Sequence, residues 1–73
     1  MLFSRFNSKG IVNGTREDCE RFTIFIAWYH SATAEITSVV EKEDGTINLN
    51  INYDNYRMVS LDNYLRKYNL IWV

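Results

Sequence analysis

The stretch TREDCERFTIFIAWYHS, residues 15–31, can be read in two ways, and the choice between them sets the fold. Its first half has the chemistry of a helix start, with Thr15 at an N-cap position and Glu17 and Asp18 in the turn that follows. Its second half, FTIFIAWY, is β-branched and aromatic with both alternating faces apolar, the pattern of a buried strand. The favoured expectation is a short turn or helix near 15–20 followed by a central strand over 21–29. A helix over 16–31 also fits. It would place Cys19, Phe22, Ile26 and Tyr29 on one stripe and leave Ile24 and Trp28 on the outer flank.

Downstream, the signals are sharper. EITSVVEK (35–42) predicts a strand, EDGT (43–46) a hairpin turn with Gly45 at positive φ, and TINLNINY (46–53) the partner strand. Asp54 and Asn55 break that strand, and YRMV (56–59) is expected to be extended. Ser60 is a candidate N-cap for a helix over 60–68, because Leu61, Tyr64, Leu65 and Tyr68 fall at i, i+3, i+4 and i+7. Asn69 tolerates the left-handed conformation that ends helices. LIWV (70–73), apolar on both faces, is expected to be a strand covered on both. Upstream, LFSRF (2–6) alternates as a short strand, NSKG (7–10) predicts a turn, and IVNG (11–14) is a return strand or a loop.

The predicted class is α+β. It comprises an antiparallel sheet of about four strands with a C-terminal amphipathic helix (60–68) packed on one face. With a helix at 16–31 the order becomes β-α-β-β-α-β, which resembles a miniature ferredoxin-like fold. That resemblance is one of topology, and such a fold hosts many functions.

With 73 residues, 1–73 form one domain. A core this small supplies a margin on the order of 3–5 kcal/mol. Cys19 is the only cysteine, so no internal disulfide supports it, and one cysteine with one histidine (His30) cannot close a zinc site. Good packing must compensate, or a homodimer, or a permanent partner. The apolar fraction of 47% is generous for this length and fits the latter two. The chain starts at Met1 and ends on an apolar strand, as a whole gene product would. With no leader-like segment and no long apolar run, a cytoplasmic location with a reduced thiol is expected.

Catalytic signatures are absent. Cys19 and His30 lack a recognisable orienting group, and Glu17/Asp18 and Glu43/Asp44 are sequence neighbours that diverge or face water. No phosphate-loop, dinucleotide or metalloprotease motif occurs. The expectation is therefore a protein that binds and does not catalyse, without cofactor or metal.

Net charge is −1, but the charge is segregated. Residues 35–54 carry Glu35, Glu41, Glu43, Asp44 and Asp54 against Lys42. Strand 46–53 also presents Asn48, Asn50 and Asn52 on one face. Amides can be buried against a partner without the desolvation cost of charge. The expected partner-binding residues are Glu41, Glu43, Asp44, Asn48, Asn50 and Asn52. Gene size and an Asn/Ile/Tyr/Phe-rich composition suit a phage or mobile-element inhibitor of a host enzyme or defence complex, acting in the host cytoplasm. An alternative is single-stranded nucleic-acid binding through Tyr56, Arg57, Arg66 and Lys67, where aromatics interleave with cations. Another is a homo-oligomeric structural subunit.

Overall fold

The structure, a computed structural model, describes residues 6–73. The elements run β1 (Ser8–Gly14), α1 (Arg16–Tyr29), β2 (Ala34–Glu41), β3 (Ile47–Tyr53), α2 (Leu61–Lys67) and β4 (Ile71–Trp72). They build a mixed α+β fold with one antiparallel sheet of order β2-β3-β1-β4. The element order is the one the ferredoxin-like arrangement uses.

Residues 16–29 are helical, so the strand expected over 21–29 does not form. The topology supplies the reason. β1 and β2 both pair antiparallel with β3, which lies between them, so they run parallel to each other. Their connection must travel back along the sheet. A helix of 14 residues is about 21 Å long, close to the roughly 23 Å of a seven-residue strand. Each β-branched residue loses at most a few tenths of a kcal/mol in a helix, and burial of one stripe overrides that. The Thr15 side chain accepts from the Asp18 amide at 3.2 Å, and Arg21 pairs with Glu17 one turn before it. Thr23 Oγ1 donates to the Cys19 carbonyl at 2.8 Å, which satisfies a hydroxyl inside the helix. Cys19, Phe22 and Ile26 are buried as the stripe required, but Tyr29 is 77% exposed, because the helix ends there beyond the core.

The turn expected at 7–10 is instead the start of β1, since Ser8, Lys9 and Gly10 pair with Tyr53, Asn52 and Ile51. Gly10 marks a close approach, not a turn. A Cβ there would lie 2.6 Å from the Trp72 ring, which crosses the strand at this point. Trp72 Nε1 donates to Asp62 Oδ1 at 2.7 Å, tying β4 to α2. The first strand expected over 2–6 lies outside the described residues except for Phe6, which is not in a strand.

The hairpin forms as its sequence demands, with Gly45 at φ 88°. Residues 56–59 are not extended. The Asp54 carbonyl accepts from the Arg57 and Met58 amides at 3.1 and 2.8 Å, and its carboxylate accepts from the Tyr56 amide. Such an Asx turn is the local alternative that aspartate offers. Ser60 precedes α2 without a side-chain cap, because its backbone (ψ 17°) is not in the extended conformation from which a cap reaches the first turn.

The end of α2 is a Schellman closure. Asn69 sits at φ 60°, Leu70 N–H donates to the Leu65 carbonyl at 2.8 Å, and Asn69 N–H donates to that of Arg66. Leu65 and Leu70 are both buried.

The core lies between the sheet and the two helices. Val12, Ile47, Leu49 and Ile51 meet Cys19, Phe22 and Ile26 of α1 and Leu61 and Leu65 of α2. Phe25, Tyr64 and Tyr68 close its rim, with the Phe25 ring 5.0 and 5.2 Å from the two tyrosines. Strand 70–73 is not covered on both faces: Ile71 is 65% and Val73 74% exposed. Both helices lie on one side of the sheet, which leaves the other face of β4 open. Among the described residues no helix is long and apolar enough to cross a membrane.

Candidate functional site

The site is built from β3 outward. Ile47, Leu49 and Ile51 point to the helices, so Asn48, Asn50 and Asn52 must point to the open face. The three amides span about 13 Å along the strand. Cross-strand register places Asn13 beside Asn48, Ile11 beside Asn50 and Lys9 beside Asn52 on β1, and Val40, Ser38 and Glu35 beside the same three on β2. Ile71 lies beside Asn13, and the Val73 amide donates to the Ile11 carbonyl, which extends the face across β4.

The amides are engaged with one another and with hydroxyls. Asn13 Nδ2 donates to Asn48 Oδ1 at 2.8 Å and to Thr46 Oγ1 at 2.9 Å. Asn50 Nδ2 donates to Ser38 Oγ. Asn13, Asn48 and Asn50 therefore already have side-chain partners on this flat face, and Lys9 and Glu35 flank Asn52 at its other end. Beside them stand exposed Ile11, Val40, Ile71 and Val73. Sequence reasoning identified the three β3 amides but not Asn13 or the apolar members of the face. The alternation Lys9-Ile11-Asn13 was the available signal, hidden by the turn assigned to 7–10.

The acidic residues sit at one end of this sheet. Glu41 closes β2 in an ion pair with Arg16 at the start of α1. Glu43 and Asp44 form the hairpin turn. The Thr46 hydroxyl and amide donate to Asp44 at 2.6 and 2.9 Å and hold its carboxyl below the usual carboxylate range. Asp44 therefore shapes the turn as well as charging it. Asn48 pairs with Val40, so the acidic turn and the amide row form one continuous surface.

The residues of the nucleic-acid alternative are dispersed. Tyr56 is exposed in the turn before α2, and Arg57 pairs with Asp54 at 3.7 Å. Arg66 and Lys67 lie in the last turn of α2, about 10 Å further along the helix. Tyr64 and Tyr68 are packed against Phe25 and Phe22, and Tyr53 and Trp72 face each other 6.0 Å apart on the helix side. Lys67 Nζ lies 5.9 Å from the centroid of the Tyr68 ring, the one cation–ring contact of this group among the described residues.

Cys19 and His30 are separated by eleven residues of helix, roughly 16 Å. Burial pushes the Cys19 thiol pKa up, with Asp18 adding to the effect, and Sγ sits 3.7 Å from the Ile47 carbonyl. His30 packs edge-on to Phe25 at 4.9 Å. Among the described residues no three His, Cys, Asp or Glu side chains converge on a metal position.

Comparison with protein-family models, curated proteins and solved structures found no match to this chain.

Proposed function

We propose that this chain is a non-catalytic protein-binding module that docks a protein partner on the open face of its sheet. One observation carries the reading. Two helices cover one side of the sheet, while the other presents Ile11, Val40, Ile71 and Val73 beside mutually paired amides. Such a face is wettable in the free chain. Its Ile11, Asn13 and Asn48 end can be buried without stranding a charge, with Lys9 and Glu35 left at the rim.

Three strands about 4.8 Å apart and about 23 Å long, with the two-residue β4 beside them, make a face of roughly 350 Å². A stable interface takes about 800 Å² from each partner. The flat face must therefore be extended, and the hairpin turn with Glu43 and Asp44 adjoins it, while Glu41 lies on the helix side opposite Ile47 in its ion pair with Arg16. Acidic groups there favour a basic patch on the partner and speed association. The finer reading is that of an inhibitor of a host enzyme or defence complex, encoded by a phage or mobile element. It rests on small size, composition and this acidic margin.

The test is capture from host lysate with tagged wild type and with Ile71→Lys, each with and without nuclease. A stoichiometric protein that survives nuclease and is lost with Ile71→Lys is the expected result. Equal capture by both chains, or capture of nucleic acid alone, overturns the reading.

A further inference from the structure

The helix side of the sheet has a second unfilled surface, separate from the open face. β2 is an edge strand of eight residues that, among the described residues, pairs only with β3. α1 reaches this edge through the Arg16–Glu41 ion pair but leaves Val39 uncovered. Between them runs an open groove of about 380 Å³. Its wall is Arg16, Cys19, Glu20, Thr23 and Ile24 of α1, and its floor includes Leu49 and Val39. Ile24 is 58% exposed and Val39 60%, although Val39 faces the same side as the core. On a chain with so little core, two β-branched side chains left beside a bare edge are unusual.

We infer that this edge and groove bind an extended segment of a partner protein, one that alternates small apolar residues with lysine or arginine. An added strand would take the free main-chain groups of β2, and its alternate side chains, about 6.8 Å apart, would drop into the groove against Val39 and Ile24. The bulge between Ile36 and Ser38 interrupts the upper part of the edge, so the regular docking stretch is Ser38–Glu41.

Charge decides the occupant. The edge, its turn and the groove wall carry Glu20, Glu35, Glu41, Glu43 and Asp44 against Lys42 and Arg16, of which Arg16 is ion-paired with Glu41. A second copy pairing β2 with β2 would set that acidic edge against itself. A cationic strand is attracted by it.

The test titrates the 15N-labelled chain with a blocked hexapeptide of alternating lysine and valine. Expected are amide shifts over Ser38–Glu41 and in Thr23 and Ile24. Val39→Lys, at an exposed site where folding is not at stake, should weaken binding about tenfold by removing the apolar contact and adding repulsion. Backbone N-methylation of the peptide should also abolish it. Four results overturn the inference. They are no shifts, equal binding of the glutamate–valine peptide, shifts confined to Ile11, Asn50 and Ile71, or β2 amides already protected by concentration-dependent self-association. Because the open face is read separately by Ile71→Lys capture, failure here and failure of the docking face are distinguishable.

Discussion

β3 has two faces in two environments. Ile47, Leu49 and Ile51 are buried against the helices, and Asn48, Asn50 and Asn52 lie half-exposed on the other side. The alternation is equally regular on both, yet only one face holds the molecule together. On the helix face, removing atoms leaves a cavity. On the open face, removing an amide leaves water or a neighbouring amide to fill the place. A regular pattern therefore marks which side is core, and the polar side's role has to be found from what surrounds it.

The contrast is tested most severely by Phe22→Ala. Phe22 is fully buried over the sheet, so the loss should be about 3–5 kcal/mol, comparable to the whole margin of the domain. Thermal unfolding followed by circular dichroism should show no cooperative transition at 25 °C. Leu65→Ala should cost about 2–5 kcal/mol, because it removes both a core side chain and half of the Leu65–Leu70 closure of α2. A folded, stable Leu65→Ala chain would mean that the stripe of α2 is not core.

Gly14→Ala comes next. A Cβ at Gly14 would collide with the Leu70 side chain, and overpacking of this kind costs about 1–3 kcal/mol. The clash predicts a specific non-additivity. In the Leu70→Ala background the same change should cost markedly less, as a double-mutant cycle in urea would show.

Asn52→Ala is the open-face counterpart and should change stability by no more than about 0.5 kcal/mol. If it destabilised the chain as much as Leu65→Ala, the distinction between the two faces would collapse.

The smallest effect is expected at the hairpin. The Thr46 hydroxyl and amide depress the Asp44 pKa, so its contribution is fully present above the ordinary aspartate value and is lost as pH falls through the lower folded value. The Thr46 amide resonance should therefore titrate with a midpoint below the ordinary aspartate value, and Asp44→Asn should remove that titration. A midpoint at or above the ordinary aspartate value would show that the turn bonds do not persist in solution.

Much of the candidate site was legible in the chain. The Asn row, the acidic turn and the separation of Arg57 from Arg66 and Lys67 all follow from counting residues along regular elements. Ile11, Val73 and Val39 were not. Each is exposed because of which strand lies next to which, and strand order has no local signature. Cys19 and His30 illustrate the converse. Two reactive residue types in one chain lie toward opposite ends of one helix, with the cysteine buried against the sheet.

Three elements were determined by the sequence itself. The turn at Gly45, the apolar stripe of α2 and the left-handed stop at Asn69 each depend on the φ range or periodicity of a few adjacent residues. Tertiary structure alone decided the state of residues 16–29, the pairing of Ser8–Gly10 and the exposure of Ile71 and Val73. In FTIFIAWY the local preferences for helix and strand differ by less than the free energy of burying one stripe. The return path from β1 to β2 across the face of the sheet then selects the helix. Where local chemistry allows only one backbone, the sequence suffices. Where it allows two, the contacts made by the rest of the chain choose.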